Sequence, residues 1–217
     1  LAALRKETKN SKKVDKAERL LAEARAALNH GQVIGFPTET FYGLGADALS
    51  ARAVGRVVRL KGRPADSPIP VIVADQKMLL CVVTAIPPLA QSLIDQFWPG
   101  PLTLVLPGSP GLPKPLLNRR GGVGVRVSSH PLAQRVVSEF GRPITATSAN
   151  LSGENAARTA QEVRAYFGAS LPIILDGGAL RGKKGSTVLE VDKGQIRLIR
   201  EGEIARAALQ KALRFNA

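Results

Sequence analysis

Short apolar runs recur along this chain with helix-forming stretches between them, and that alternation constrains its fold more than any other feature. "VIGF", "IPVIVA", "LTLVL", "VGVRV", "PITAT", "PIILD", "TVLEV" and "IRLIR" each have the length of a buried strand. Helical periodicity fills the intervals. It runs from Asp15 as N-cap to Gly31 as C-cap, with Leu20, Leu21, Ala24 and Leu28 on one face, then from Ser50 through Leu60, over 76–83 and 89–97, from Pro131 and from Thr159. "IARAALQKALRF" reads as a basic amphipathic helix near the C-terminal end. Strands and helices in this order specify an α/β fold, a sheet flanked by helices. The last two runs are separated by the turn-forming "DKG", which implies a hairpin and therefore a mixed parallel/antiparallel sheet. Residues 1–13, "LAALRKETKNSKK", read as a basic flexible arm, and 14–217 as one globular domain.

A chain of 217 residues, 44% of them hydrophobic, supplies one sizeable core. No window approaches the roughly 18–20 consecutive apolar residues of a membrane span, and no signal peptide opens the sequence, so the expected compartment is the cytoplasm. The single cysteine, Cys81, lies in "MLLCVVT", where a buried reduced thiol is expected. With His30 and His130 it offers little to a protein-held zinc site, although Mg²⁺ carried by a phosphate ligand leaves no such trace. The excess of 31 Lys and Arg over 17 Asp and Glu, a net +14, points to acidic partners such as nucleotide phosphates or RNA. Aromatic residues at 4% argue against a base-stacking platform.

Two stretches imitate nucleotide motifs and fail on detail. In "FPTETFYGLGADA" the pattern Gly43-x-Gly45-x-x-Ala48 resembles a dinucleotide turn, but Pro37 to Tyr42 separate it from the strand, and the acid at the right distance, Asp66, sits in a Pro-rich loop. Gly43 and Gly45 are expected to let the chain turn tightly. In "GGALRGKKGST" Gly177, Gly182 and Lys183 have P-loop spacing, but Lys184 stands where a hydroxyl must meet Mg²⁺.

The polar clusters at element ends are more informative. Thr38, Thr40 and Tyr42 bracket Glu39 after the first strand. Lys61 and Arg63, two apart, can address one anion if the backbone there is extended. Arg126 lies inside an apolar strand, where an unpaired guanidinium is costly, so it must meet a ligand anion or an internal Asp or Glu. Thr145, Thr147, Ser148, Asn150 and Ser152 end another strand with short hydrogen-bonding side chains, and Ser186 and Thr187 precede the hairpin.

Taken in order, "PTETFYGLGADA", "LKGRPADSPI", "FWPGPLTLVL", "VGVRVSSHP", "ITATSANLSG", "DGG", "GST" and "RLIREG" resemble the threonylcarbamoyl-AMP synthase family, the YrdC-like domain, over most of the chain from Val33 to Gly202. The family's Lys-x-Arg and Ser-x-Asn signature is present as Lys61, Arg63, Ser148 and Asn150. The resemblance implies an open twisted mixed sheet with a basic concave cavity. It implies an enzyme that makes threonylcarbamoyl-AMP and pyrophosphate from L-threonine, bicarbonate or CO₂ and ATP with its Mg²⁺, with no organic cofactor. A tRNA-modifying transferase would use the product beside the anticodon, and direct contact with tRNA or double-stranded RNA is a further expectation.

By resemblance, Lys61 and Arg63 are catalytic, and Lys61, Arg63, Ser67, Gly122, Ser148, Asn150 and Arg200 bind ATP. Thr40, Arg126, Ala146 and Ser186 bind threonine. Ile72 stands where some archaeal relatives have a threonine-binding histidine. The length matches the family's short single-domain form. Glu39 is a candidate general base that the chemistry does not require, because an α-amino group with a pKa of about 8 is neutral often enough. The competing readings are a non-catalytic RNA-binding or ribosome-assembly factor and, on the same fold, a carbamoyl-transferring domain of hydrogenase maturation proteins, whose zinc-finger and acylphosphatase neighbours are absent from this sequence.

Overall fold

A computed structural model describes residues 17–64 and 66–214. The expected basic arm and the Asp15 cap lie outside the described residues. Helix α1 covers 17–29 and closes at Gly31, whose φ of 66° is the left-handed conformation that ends the helix. Leu21, Ala24, Ala27 and Leu28 are its buried stripe.

Two sheets, not one, form the frame. The smaller contains β1 (Ile34–Pro37), β2 (Tyr42–Gly45) and, across the chain, β7 (Thr147–Ser148), all antiparallel. The larger has the order β6-β3-β5-β4-β8-β9, built from β3 (Val71–Ile72), β4 (Leu102–Pro107), β5 (Gly122–Arg126), β6 (Ile144–Thr145), β8 (Thr187–Asp192) and β9 (Gln195–Arg200). β3/β5 and β4/β8 are parallel and the other pairs antiparallel, so the sheet is mixed as expected. The hairpin β8–β9 turns on Lys193 and Gly194 with φ of 47° and 75°; positive φ at both central residues is what a tight two-residue hairpin requires.

The run "PITAT" reads as one strand in the sequence. It divides at Ala146 because its two halves serve different sheets: Ile144 and Thr145 pair with β3, and Thr147 and Ser148 pair with β2. At the break the Ala146 N–H donates to the Pro70 carbonyl (2.8 Å), while Thr145 binds Ala46 and Leu44 through its hydroxyl. "PIILD" is not a strand; only Ile174 bridges, to Gly35.

The glycines of "YGLG" also depart from expectation. They lie within β2 and neither has positive φ. Their missing side chains make a seat for the Phe36 ring, since a Cβ on Gly45 would fall 2.9 Å from it and one on Gly43 3.2 Å. A flat surface, not a turn, is what these positions supply.

Helices cover the sheets. α2 (Ala51–Lys61) is capped by Ser50 and ended by Gly62 in the left-handed region. α3 (Gln76–Leu79) is a single turn, α4 spans Pro88–Phe97, α5 Pro131–Phe140, α6 Ala160–Phe167 behind its Thr159 cap, and α7 Arg206–Arg214. "MLLCVVT" passes from α3 into turns in which Leu80 and Cys81 face outward together while Val82 and Val83 are buried, so Cys81 is exposed where a buried thiol was expected. One core cluster joins α2, α4 and α6 to β2, β4 and β5; a second joins α1 and α5 to β1, with Ile72 and Ile144. Among the described residues no helix is long and apolar enough to cross a membrane.

Candidate active site

Where the two sheets meet, two adjoining cavities share a wall. The inner one, about 230 Å³, is lined by Thr38, Thr40, Arg126, Ala146 and Ser148 among others. The outer, about 590 Å³, is lined by Ser67, Asn118, Gly122, Glu190 and Ile199 among others. Arg63, Pro70, Ser186 and Arg200 belong to both.

The loop after β1 is held by its own hydroxyls. Thr38 Oγ1 donates to the Phe41 carbonyl (2.7 Å), lies 3.0 Å from Thr40 Oγ1 and accepts from the Thr40 N–H. Tyr42 points the other way, donating to the Gly178 carbonyl (2.8 Å) and accepting from the Gly177 N–H (3.0 Å); burial pushes its phenol up to about 12. It acts as a clamp on the 176–178 turn and not as an acid or base near neutrality.

Arg126, 5% exposed at the end of β5, pairs with Glu39, whose other oxygen accepts from the Ser128 hydroxyl. The requirement that a guanidinium in an apolar strand find an anion is thus met inside the chain. Burial pushes the Arg126 pKa down and Glu39 opposes the shift. No fully buried side-chain N or O atom among the described residues lacks a partner, so the Arg126 nitrogens left over from this pair reach the cavity it lines. Glu39 is a carboxylate committed to two donors, which is a poor arrangement for a general base.

Arg63 and Arg200 are different. Arg63 donates only to neutral oxygens: Ser67 O (2.6 Å), Pro68 O (2.8 Å) and Thr147 Oγ1 (3.0 Å). Arg200 donates to Ser186 O (2.8 Å) and Oγ (3.3 Å). Neither has a carboxylate partner among the described residues. Burial and then a like charge lower both: Arg200 acts on Arg63, and Arg126 acts on Arg200. All three arginines line the inner cavity, and two of them, Arg63 and Arg200, carry a charge at the shared wall with no carboxylate partner among the described residues. A guanidinium remains protonated throughout, so this charge is available to an anion.

Lys61 is the lysine of the Lys-x-Arg pair expected at the phosphates. At the last residue of α2 it turns inward, 3% exposed, and its ammonium lies 2.7 Å from Ser148 O and 2.9 Å from both Asn150 O and Oδ1. Asn150 in turn accepts from Ser148 Oγ (2.6 Å) and donates to Leu151 O and Glu154 O. Lys61, Ser148 and Asn150 form a knot behind the cavity wall; Ser148 reaches the inner cavity, whereas Lys61 and Asn150 line neither. Burial and then Arg63 push the Lys61 pKa down to about 8.

Of the residues singled out from sequence, Thr40, Arg63, Arg126, Ala146, Ser148, Ser186 and Arg200 line the inner cavity, and Ser67 and Gly122 line the outer one. Ile72 is fully buried in the core with Val136 and Ile144 and lines neither. The sequence reading passed over Asn118, which fixes the 120–122 turn through Oδ1 and reaches Glu190 through Nδ2 (3.1 Å), and Thr103, 2.8 Å from Ser186 Oγ. Both are ordinary strand or turn residues that only tertiary structure brings to the cavities.

Residues 26–202 match the model of the Sua5/YciO/YrdC family, described as "Telomere recombination". The chain is 38% identical over 190 residues to the threonylcarbamoyl-AMP synthase of Pyrococcus abyssi, covering 88% of this chain and 56% of that protein. The Bacillus subtilis synthase is 38% identical over 194 residues, with 89% and 56% covered, so the chain spans little more than half the length of these two relatives. Against the Yersinia enterocolitica synthase the identity is 41% over 164 residues, with 74% and 86% covered. Among solved structures, P. abyssi Sua5 complexed with L-threonine superposes with a TM-score of 0.86 at 36% identity, over 91% of this chain and 58% of that one. Escherichia coli YciO gives 0.77 at 28%, over 85% and 90%. With the two-sheet frame and the cavities at its junction, these matches place the chain in the Sua5/YciO/YrdC family.

Proposed function

We propose that the chain forms threonylcarbamoyl-AMP and pyrophosphate from L-threonine, CO₂ derived from bicarbonate, and ATP. The observation that carries this reading is how the cationic charge is disposed: Arg126 in the inner cavity is already paired with Glu39, whereas Arg63 and Arg200 at the shared wall have no carboxylate. A zwitterionic amino acid suits the first setting and a polyphosphate the second. The relatives named as threonylcarbamoyl-AMP synthases and the threonine-bound P. abyssi structure support the same choice.

In this reading the inner cavity takes threonine, with its carboxylate on the free edge of Arg126 and its polar groups on Thr40 and Ser186, beside the Ala146 backbone. The outer cavity takes the nucleotide along Ser67 and Gly122, with Arg200, Arg63 and Ser148 at the phosphates. The neutral amine adds to CO₂, its nitrogen loses a proton to water, and a carbamate anion results. A carbamate oxygen then bonds to the α-phosphorus as the bond from that phosphorus to the pyrophosphate oxygen breaks, and pyrophosphate leaves. Two anions must approach for this step, and fixed guanidiniums lower its barrier by neutralising charge without reorganising.

Mg²⁺ arriving on the triphosphate would add charge neutralisation there. Lys61 and Asn150 act from behind, holding the 148–150 backbone in place. The product would pass to a tRNA-modifying transferase in the cytoplasm.

The test is pyrophosphate release from ATP with each standard amino acid in turn, with and without bicarbonate. Release that requires both threonine and bicarbonate is expected. Release indifferent to either one, or none at all, overturns the reading; the latter is the outcome for an RNA-binding factor without catalysis.

A further inference from the structure

We infer that Glu203 is a positioning residue: its carboxylate latches the Gly182–Ser186 loop shut against Thr40 and so presents Ser186 to the amino acid. The inference rests on the proposed function for its kinetic consequence but on geometry alone for the latch. The backbone N–H groups of Lys183 and Lys184 both donate to Glu203 Oε1, at 2.7 and 2.6 Å. From the opposite direction the Glu203 N–H donates to the Gly185 carbonyl (3.0 Å), so the loop and Glu203 grip each other at both ends. Two successive amides on one carboxylate oxygen form an anion-binding concavity that the chain fills for itself.

The arm that bears Glu203 is rigid. Thr187, fully buried at the start of β8, accepts from the Gly202 N–H (2.9 Å) and the Ile204 N–H (3.0 Å) and donates to the Ile204 carbonyl (2.7 Å). Glycines let the layers close. A Cβ on Gly182 would fall 2.1 Å from the Thr40 carbonyl oxygen, and one on Gly202 would fall 2.1 Å from that of Gly185. The loop is thus pressed between Thr40 on one side and the 200–203 segment on the other, with Gly185 under the Arg200 guanidinium. Three cavity residues, Thr40, Ser186 and Arg200, meet through this one loop. With the carboxylate removed, two amides lose their acceptor, and that side of the loop keeps only the Glu203 N–H on the Gly185 carbonyl and Arg200 on the Ser186 carbonyl. In "GKKG", whose spacing imitates a P-loop, the Lys183 and Lys184 amides are turned to an internal carboxylate, not to a phosphate.

The experiment compares wild type, Glu203→Ala and Glu203→Gln. Glu203→Ala should raise KM for threonine about tenfold with kcat within about twofold, because binding geometry is lost and the reacting groups are untouched. Glu203→Gln, whose side-chain carbonyl can still accept from both amides, should stay within about threefold of wild type. Hydrogen exchange at Lys183 and Lys184 should speed up in the alanine variant alone, with an unchanged melting temperature. A wild-type threonine KM in Glu203→Ala, an equal defect in Glu203→Gln, or unchanged exchange at these amides overturns the inference. If wild type itself ignores threonine, the functional reading fails, and the exchange comparison still decides whether the latch exists.

Discussion

The Lys61 ammonium lies 2.9 Å from both the side-chain and the carbonyl oxygen of Asn150 and 2.7 Å from the Ser148 carbonyl, which makes it the fastener of the 148–150 wall and not a free cation in the cavity. Lys61→Met orphans these oxygens, and we expect it to cost about 2 kcal/mol of stability as well as turnover. Asn150→Ala should do the same on a smaller scale. Urea unfolding checks both; a Lys61→Met protein as stable as wild type would show that the knot does not hold the wall.

The pH dependence of that cost has a definite sign. Lys61 is pushed down to about 8 in the folded chain, against 10.5 as its ordinary value. Between those values the unfolded chain holds more protons, so stability rises with pH through this window, by up to about 3 kcal/mol from this group alone. The stability difference between wild type and Lys61→Met should therefore move in favour of wild type from pH 8 to 10.5. A difference that stays level across that range would contradict the assignment.

Arg63 spends its three nitrogens on Ser67, Pro68 and Thr147, a fork that an ammonium cannot reproduce. Arg63→Lys keeps the charge and loses the geometry, so pyrophosphate release should fall about 100-fold while the melting temperature moves little. Full activity in this variant would remove Arg63 from the mechanism.

For Glu39 and Arg126 a double substitution separates structure from function. Glu39→Ala leaves a buried guanidinium unpaired and should destabilise by about 3 kcal/mol or more. Glu39→Ala with Arg126→Met removes both charges and should recover most of that loss, yet show no threonine-dependent turnover. Calorimetric melting with parallel pyrophosphate assays reads both quantities, and a double variant that still turns over threonine would free Arg126 from its role.

The sequence announced elements through local rules and stayed silent where tertiary pairing decides. Gly31, Ser50 and Thr159 marked helix ends correctly because caps are local chemistry. The Lys193–Gly194 turn was legible for the same reason. The break at Ala146 was not, since two sheets compete for one run of residues and neither partner is near in sequence. Arg126 in an apolar strand demanded an anion, and the structure supplied Glu39, 87 positions away. Lys61 and Arg63 looked equivalent at i and i+2, but Lys61 still belongs to α2 and Arg63 lies beyond the Gly62 reversal, so they do not share the extended backbone that would aim them together. Glu203 carried no signal, because its value lies in amides that any residues at 183 and 184 would offer.

The seat that Gly43 and Gly45 make for Phe36 limits how this cavity can diversify. A side chain at either glycine must displace an aromatic ring rooted in the core, so this face of β2 is a fixed template on which lineages cannot write. Changes in which amino acid fits must come from the residues facing it, the Thr38–Phe41 turn and the latched loop. A selection for altered substrate preference should accumulate its substitutions there and leave the two glycines untouched.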